Sequence, residues 1–125
     1  MALTVYYLDD EAELCDVFKD FLSSAQIHVT TFTESEAAIE QCAQNKPDII
    51  FIDYRLTNTT GNLVANVLDD DIEKILVTGE LDLPQYDVFS QVMAKPYSLM
   101  AISQMLEAKN EHTHPPQKGE HNERI

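Results

Sequence analysis

Residues 48–53 read DIIFID, a run of four apolar residues enclosed by two aspartates. A run this short and this apolar, predicted as a strand over residues 48–52, is typical of a strand buried on both faces, as in a parallel sheet. Four other short runs share this character, although the second alternates more between apolar and polar residues. They are LTVYYL (Leu3–Leu8), IHVTTF (Ile27–Phe32), KILVT (74–78) and QVMA (Gln91–Ala94).

The segments between these runs carry apolar residues at helical spacing. The first predicted helix has the i, i+3, i+4, i+7, i+8 pattern of a face turned toward the core. Its members are Leu14, Val17, Phe18, Phe21 and Leu22. The second begins at Thr33 and Glu36, which resemble a capping box. The third is predicted after Gly61 and includes Leu63, Val64, Val67 and Leu68.

Two more helical segments are predicted nearer the C-terminus. Ser98 is expected to cap the last helix, which buries Leu99, Ile102 and Leu106. Residues 83–89 form the weakest helical segment, because Pro84 stands near its start and few residues follow. Strand and helix therefore alternate five times, which predicts an α/β fold: a doubly wound, five-stranded parallel sheet flanked by helices, with the fourth helix shortened.

The composition changes near residue 109. From there the sequence KNEHTHPPQKGEHNERI is polar almost throughout, and it cannot bury enough apolar area to fold. We predict one folded domain over residues 1–108 and a flexible polar tail over residues 109–125.

The charge of the chain limits its partners. The formal net charge is −14, from 22 acidic and 8 basic residues. Nucleic-acid binding requires a basic surface that displaces counterions, and an anionic membrane repels an acidic chain. We therefore expect no direct contact with nucleic acid or membrane, and a protein partner with a basic face.

The cysteines and the N-terminus indicate the compartment. Cys15 and Cys42 lie on the apolar sides of predicted helices, so we expect buried, reduced thiols. The N-terminal run MALTVYYL lacks the basic residues of a signal peptide and meets acidic residues at once. These features predict a cytoplasmic protein.

Polar side chains that carry chemistry follow four of the five predicted strands. In chain order they are Asp9, Asp10 and Glu11, then Asp53, then Thr78, then Lys95. In a doubly wound sheet, sites form beyond the carboxyl ends of the strands, so these residues are expected to lie at one edge. Singly, each signal is weak, because a strand-terminal Asp is often a helix cap and Lys-Pro or Thr-Gly is often only a turn. Their joint occurrence indicates a site.

The set of side chains suits phosphoryl transfer. Clustered carboxylates raise one another's pKa values, and a divalent cation relieves that cost. Oxygen-only ligands favour Mg²⁺, Mn²⁺ or Ca²⁺ over zinc. Lys95 offers a positive charge and Thr78 a hydroxyl to phosphoryl oxygens. The carboxylate of Asp53 would be the attacking group in an in-line transfer.

Four motifs together resemble the receiver domains of two-component response regulators, a flavodoxin-like family. They are LDDE (8–11), FIDYRLTNTTG (51–61), LVTGE (76–80) and AKPY (94–97), and the resemblance covers residues 3–106. The resemblance implies that Asp53 is the phosphoacceptor, that Thr78 is the switch hydroxyl and that Lys95 binds the phosphoryl group. It also implies a Mg²⁺ site, with Mn²⁺ as a substitute, whose residues are Asp10 as direct ligand, Asp9 through metal-bound water, Asp53, and the backbone carbonyl of Arg55.

The function implied by the resemblance is that of a signalling domain and not of an enzyme. A histidine kinase or a phosphotransfer protein would donate the phosphoryl group, and a downstream protein would bind the phosphorylated form. Two alternatives stay open. One is an interaction module of the same fold that needs no phosphate. The other is a small phosphatase of the haloacid-dehalogenase class, whose second Asp would stand where this chain has Arg55.

The chain also departs from the family pattern. Thr57 stands where the family often has proline, and Val92 stands where it commonly has Tyr or Phe. The stretch between Thr78 and Lys95 is short. We therefore expect switching to pass through residues 79–89. We also expect Arg55 and Glu80, each two residues past a presumed active residue, to pair over the site. The domain either stands alone or belongs to a longer regulator.

Overall fold

A computed structural model of the chain describes residues 2–113, in which strands and helices alternate except between the last two strands. The strands are β1 (Leu3–Leu8), β2 (Ile27–Phe32), β3 (Ile49–Asp53), β4 (Glu73–Thr78) and β5 (Gln91–Ala94). The helices are α1 (Ala12–Leu22), α2 (Ser35–Gln44), α3 (Gly61–Asn66) and α4 (Leu99–Thr113). None of these helices is both long enough and apolar enough to cross a membrane.

All five strands are parallel, in the order β2-β1-β3-β4-β5. This confirms the predicted doubly wound sheet. The strand order reverses at β1, so the carboxyl ends of β1 and β3 lie beside the crevice where such folds form sites. Leu8 pairs with Ile52, and Asp53 pairs with Val77. Asp9, the residue after Leu8, therefore lies level with Asp53 at the end of β3.

One face of the sheet packs against α1 and α4. Its central side chain is Phe18, which is fully buried. The ring of Phe18 stacks on Tyr7 with centroids 4.1 Å apart and meets Phe51 edge-on at 5.3 Å. Burial of one such side chain contributes about 2–3 kcal/mol. The other face packs against α2 and α3, and its core includes Cys42. Both cysteines are free and buried, as predicted.

The buried stripe of α1 differs from the predicted one. Cys15, Phe18 and Leu22 are buried, whereas Val17 and Phe21 are about half exposed. The apolar side of this helix is therefore wider than the surface that the sheet and α4 cover.

Helix starts were predicted with mixed success. The capping box at Thr33 and Glu36 is wrong: α2 is preceded by Glu34 as N-cap, and no side chain caps it. The prediction for the last helix is correct, since Ser98 Oγ accepts a hydrogen bond from the backbone N–H of Ala101 at 3.1 Å.

The third helix is shorter than its apolar pattern suggests. It ends at Asn66, and both Leu63 and Val67 point largely into solvent. Val64 and Leu68 are buried as expected. The predicted apolar pattern extends over two turns, but only the side with Val64 and Leu68 packs in the core.

The helix predicted over residues 83–89 is wrong, because the described segment between β4 and β5 contains none. Leu83 precedes Pro84, a position that disfavours helical backbone, and the residues that remain make little more than one turn. Tyr86 instead packs on Tyr54 with ring centroids 6.3 Å apart, and Phe89 is buried in the core.

Helix α4 continues past residue 108, where the predicted folded domain ends, to Thr113, and Lys109 forms an ion pair with Glu73. Residues 109–113 are therefore part of the helix and not of a tail. The remainder of the predicted tail, residues 114–125, lies outside the described residues.

Candidate functional site

Three aspartates meet at the carboxyl ends of β1 and β3. Asp9 and Asp53 are buried, and Asp10 is partly exposed. Each offers one carboxylate oxygen, and these three oxygens lie within 4.8 Å of one another. The fold brings them together because parallel strands place their carboxyl ends at one edge.

Lys95 reaches this cluster from the end of β5. Its Nζ lies 2.9 Å from Asp53 Oδ1 and 3.1 Å from Asp9 Oδ2. The backbone N–H of Lys95 donates to the carbonyl of Thr78 at 2.9 Å, which fixes the start of the loop after β5. One ammonium group is therefore shared by two buried carboxylates.

The electrostatics of the pair follow from burial and charge. The pKa of Asp53 is raised from 3.8 to about 6. Burial is the largest cause, the hydrogen bond from Lys95 opposes the rise, and the negative charge of Asp9 adds to it. Burial acts to lower the pKa of Lys95, but its contacts with the two carboxylates outweigh that effect and raise it. Near pH 7 the lysine is cationic and Asp53 is mostly ionised.

Asp9 is fixed by further donors. Its Oδ1 accepts the backbone N–H of Glu11 at 3.0 Å, and its Oδ2 accepts the hydroxyl of Tyr7 at 2.8 Å. The hydroxyl of Tyr97 lies 2.8 Å from that of Tyr7. Burial raises the pKa of Tyr7, so this hydroxyl keeps its proton and acts as a donor.

The segment after β3 holds the outer part of the cluster. Thr57 Oγ1 donates to Asp10 Oδ2 at 3.0 Å. Gly61 is the first residue of α3 and lies against the backbone of Asp53. A Cβ atom at this position would lie 2.6 Å from the backbone carbonyl oxygen of Asp53, a distance that no side chain can adopt without a backbone shift. Only glycine fits this close approach.

Thr78 ends β4 and is buried. Its Oγ1 accepts the backbone N–H of Glu80 at 3.0 Å. The hydroxyl is the acceptor in this bond, so its own proton can still be donated to another oxygen.

Arg55 and Glu80 form the expected pair. Arg55 Nη2 donates to Glu80 Oε1 at 3.1 Å, and Arg55 Nε donates to the other carboxylate oxygen. The guanidinium lies 5.5 Å from the ring centre of Tyr54, the residue that follows Asp53. The stacking of Tyr54 on Tyr86 then ties this pair to the segment between β4 and β5.

The cluster suits a hard divalent cation. Its donors are carboxylate oxygens only, which match Mg²⁺ or Mn²⁺ and not zinc. The lysine alone leaves an excess of negative charge over the three carboxylates. The residues present therefore fit a magnesium site.

A sequence comparison identifies the family. The model of the response regulator receiver domain matches residues 5–107, which is most of the chain. The chain belongs to the response regulator receiver domain family. No match is found among curated proteins.

Solved structures of receiver domains share the fold of this one. The receiver domain protein from Methanospirillum hungatei JF-1 has a TM-score of 0.79 at 16% identity, over 90% of this chain and 96% of that one. The receiver domain of an HD domain-containing protein from Pseudomonas fluorescens Pf-5 has a TM-score of 0.78 at 16% identity, over 93% and 100%. Response regulator TrrA from Thermotoga maritima, in complex with Mg²⁺–BeF, has a TM-score of 0.73 at 18% identity, over 85% and 97%.

Two polar contacts of this receiver domain were not expected from the sequence. The sequence places Tyr7 in the first predicted strand with no role at the site, and Thr57 stands out only as a departure from the family pattern. Tyr7 lies in β1 and Asp9 is the first residue after it, so the two-residue alternation of the strand, continued by one residue, puts both on one face and is a usable signal for the contact. The contact of Thr57 with Asp10 depends on the loop after β3, which strand periodicity does not describe.

Proposed function

We propose that this receiver domain accepts a phosphoryl group on Asp53 and signals through contacts with other proteins. The observation that carries the proposal is the position of Lys95 Nζ, 2.9 Å from Asp53 and 3.1 Å from Asp9, beside three convergent carboxylates. A structural ion pair needs only one carboxylate for one lysine. Three carboxylates with one cation form a site that is short of positive charge.

In the proposed reaction the ionised carboxylate of Asp53 attacks the phosphorus of a donor. A new oxygen–phosphorus bond forms as the bond from phosphorus to the donor's leaving group breaks. Above pH 6 this carboxylate is mostly deprotonated, as attack requires. Lys95 would balance charge on the transferred oxygens, and the hydroxyl of Thr78, at the end of the neighbouring strand, would donate to one of them.

Asp9, Asp10, Asp53 and the backbone carbonyl of Arg55 would hold Mg²⁺, with Mn²⁺ as a substitute. When bound, the cation neutralises charge on the carboxylates and on the incoming phosphoryl oxygens. Asp10 has a fixed orientation for this role, since Thr57 holds one of its oxygens. Asp9 is fixed by Glu11 and Tyr7 in the same way.

The proposed phosphoryl donor is a histidine kinase or a phosphotransfer protein, and the recipient of the signal is a further protein. The family membership supports this assignment, and the net charge of −14 favours partners with basic faces. The fold shared with TrrA, which was solved with Mg²⁺–BeF, gives additional support.

The proposal is tested by incubating the full chain with acetyl phosphate and Mg²⁺ and measuring its intact mass. We expect the mass of one phosphoryl group on the wild type, and none when EDTA replaces Mg²⁺. Asp53→Asn should take up none. The matched control is Asp48→Asn, an exposed aspartate just before the amino end of the same strand, which should be modified like the wild type. Equal modification of Asp53→Asn and the wild type would refute the assignment.

A further inference from the structure

The two adjacent tyrosines of β1 have different surroundings. The Tyr6 side chain lies on the α2 face, and its hydroxyl donates to the carbonyl of Asn45 at 2.7 Å. The Tyr7 side chain lies on the α1 face, and its hydroxyl donates to Asp9 Oδ2. Tyr7 has a single hydroxyl proton, so Tyr97 must be the donor in the contact between the two hydroxyls. The donors therefore run in one direction, from Tyr97 to Tyr7 to Asp9.

Packing accounts for the ring of Tyr7 but not for its hydroxyl. The ring stacks on Phe18 with an interplanar angle of 8°, an arrangement that phenylalanine would reproduce. A hydroxyl that is fully buried requires a partner, and here the partner is a carboxylate of the site. The polar part of Tyr7 therefore acts on Asp9.

Asp9 and a phosphoryl group on Asp53 would both need the ammonium group of Lys95. In the structure it bridges Asp9 and Asp53. A phosphoryl group on Asp53 brings new oxygens that need this ammonium, and contact with them draws it from Asp9. A buried carboxylate oxygen that loses its hydrogen-bond donor is disfavoured unless a second donor stays bound to it. Asp9 Oδ2 is completely buried, so this difficulty applies to it.

We propose that Tyr7 is a positioning residue: its hydroxyl holds Asp9 Oδ2, so that Lys95 can leave Asp9 for the phosphoryl group on Asp53. The inference rests on the proposed function. Tyr97 supports Tyr7, because a hydroxyl that accepts a hydrogen bond becomes a stronger donor. Without the hydroxyl of Tyr7, Lys95 is the only side-chain donor to this oxygen within residues 2–113 and stays with Asp9.

The test compares Tyr7→Phe with Tyr6→Phe, which removes a buried hydroxyl from the same strand on the opposite face. The first readout is the rate of phosphorylation by acetyl phosphate at saturating Mg²⁺. We expect Tyr7→Phe to be about tenfold slower than the wild type and Tyr97→Phe about threefold slower. Tyr6→Phe should stay within about 1.5-fold, since its hydroxyl donates to Asn45 and lies on the α2 face, away from Asp9.

The second readout needs neither metal nor phosphate. Nitrogen-15 NMR of the metal-free protein measures how fast the ammonium protons of Lys95 exchange with water. We expect this exchange to be several-fold slower in Tyr7→Phe, because Lys95 then binds Asp9 without competition, and unchanged in Tyr6→Phe. A general loss of stability would make exchange faster and not slower.

The outcomes separate this inference from the proposed function. If Tyr7→Phe equals Tyr6→Phe in both readouts, the positioning role is overturned while the phosphoacceptor assignment stands. If the wild type takes up no phosphate, the proposed function fails, and the exchange of the Lys95 protons alone decides whether Tyr7 shares Asp9 with the lysine. Should Tyr7→Phe not fold, Tyr97→Phe decides, and a phosphorylation rate equal to that of Tyr6→Phe overturns the inference.

Discussion

Replacing Asp53 with asparagine removes a buried carboxylate, whose pKa is raised from 3.8 to about 6. One pKa unit corresponds to about 1.4 kcal/mol, so a shift of roughly two units destabilises the metal-free protein by about 3 kcal/mol at pH 7.5. Lys95 keeps its contact with Asp9 in the variant, so the substitution leaves the lysine with a carboxylate partner. We therefore expect Asp53→Asn to raise the free energy of unfolding by up to about 3 kcal/mol.

The same shift sets the pH dependence. The folded pKa of Asp53 lies above the unfolded value, so the penalty is complete above the folded pKa. It falls as the pH drops through about 6 and disappears only below the unfolded value of 3.8, where the carboxyl is protonated in both states. The stability advantage of Asp53→Asn should therefore be largest at pH 7.5 and close to zero at about pH 3.

Urea unfolding followed by circular dichroism measures this difference. The samples contain EDTA, and the slope of the unfolding free energy against urea must match between variants for the comparison to hold. Asp48→Asn is the control and should stay within about 0.5 kcal/mol of the wild type, because the side chain is exposed and the amide oxygen of asparagine can still accept the hydrogen bond from the backbone N–H of Thr4. If Asp53→Asn were less stable than the wild type at pH 7.5 without metal, the electrostatic account of the site would be wrong.

Three further predictions concern the metal, the lifetime of the phosphoryl group and the switch. Mg²⁺ at a hundredfold excess over its Kd should stabilise the wild type by about 2.7 kcal/mol in thermal melts, and a similar gain in Asp10→Ala would rule out a metal site there. Arg55→Ala and Glu80→Ala should each change the dephosphorylation rate several-fold with little change in Tm, because the pair is exposed and its residues follow Asp53 and Thr78 by two positions; unchanged rates would show that it does not control access of water. Val92 is 58% exposed on β5, so Val92→Ala should leave partner affinity within a few-fold while phosphorylation changes hydrogen exchange across residues 79–89; loss of phosphate-dependent binding would make Val92 a switch residue.

The sheet could be predicted because its central strands are apolar on both faces. Every residue of β3 is buried. A strand that is apolar on both faces must be covered by a layer of helices on each side of the sheet. Strand ends in a parallel sheet share an edge, so the meeting of Asp9, Asp10, Asp53 and Lys95 follows once the strand order is known.

Contacts that depend on the exact placement of loops and helix faces could not be predicted. Periodicity shows that α1 has an apolar side, but the depth to which it packs decides that Phe18 is buried and Phe21 is half exposed. In the segment between β4 and β5, Pro84 discourages a helix, yet only the tertiary contact with Tyr54 shows where Tyr86 packs.

Chemical trapping of the phosphorylated protein tests the central claim most directly. Borohydride reduces an acyl phosphate to an alcohol, so an aspartyl phosphate is converted to homoserine at the residue that carried it. After treatment of the full chain with acetyl phosphate and Mg²⁺, peptide mass spectrometry should find homoserine at residue 53, and none when Mg²⁺ is withheld. Homoserine at Asp9 or Asp10, or a phosphate that resists borohydride, would contradict the assignment of Asp53 as phosphoacceptor.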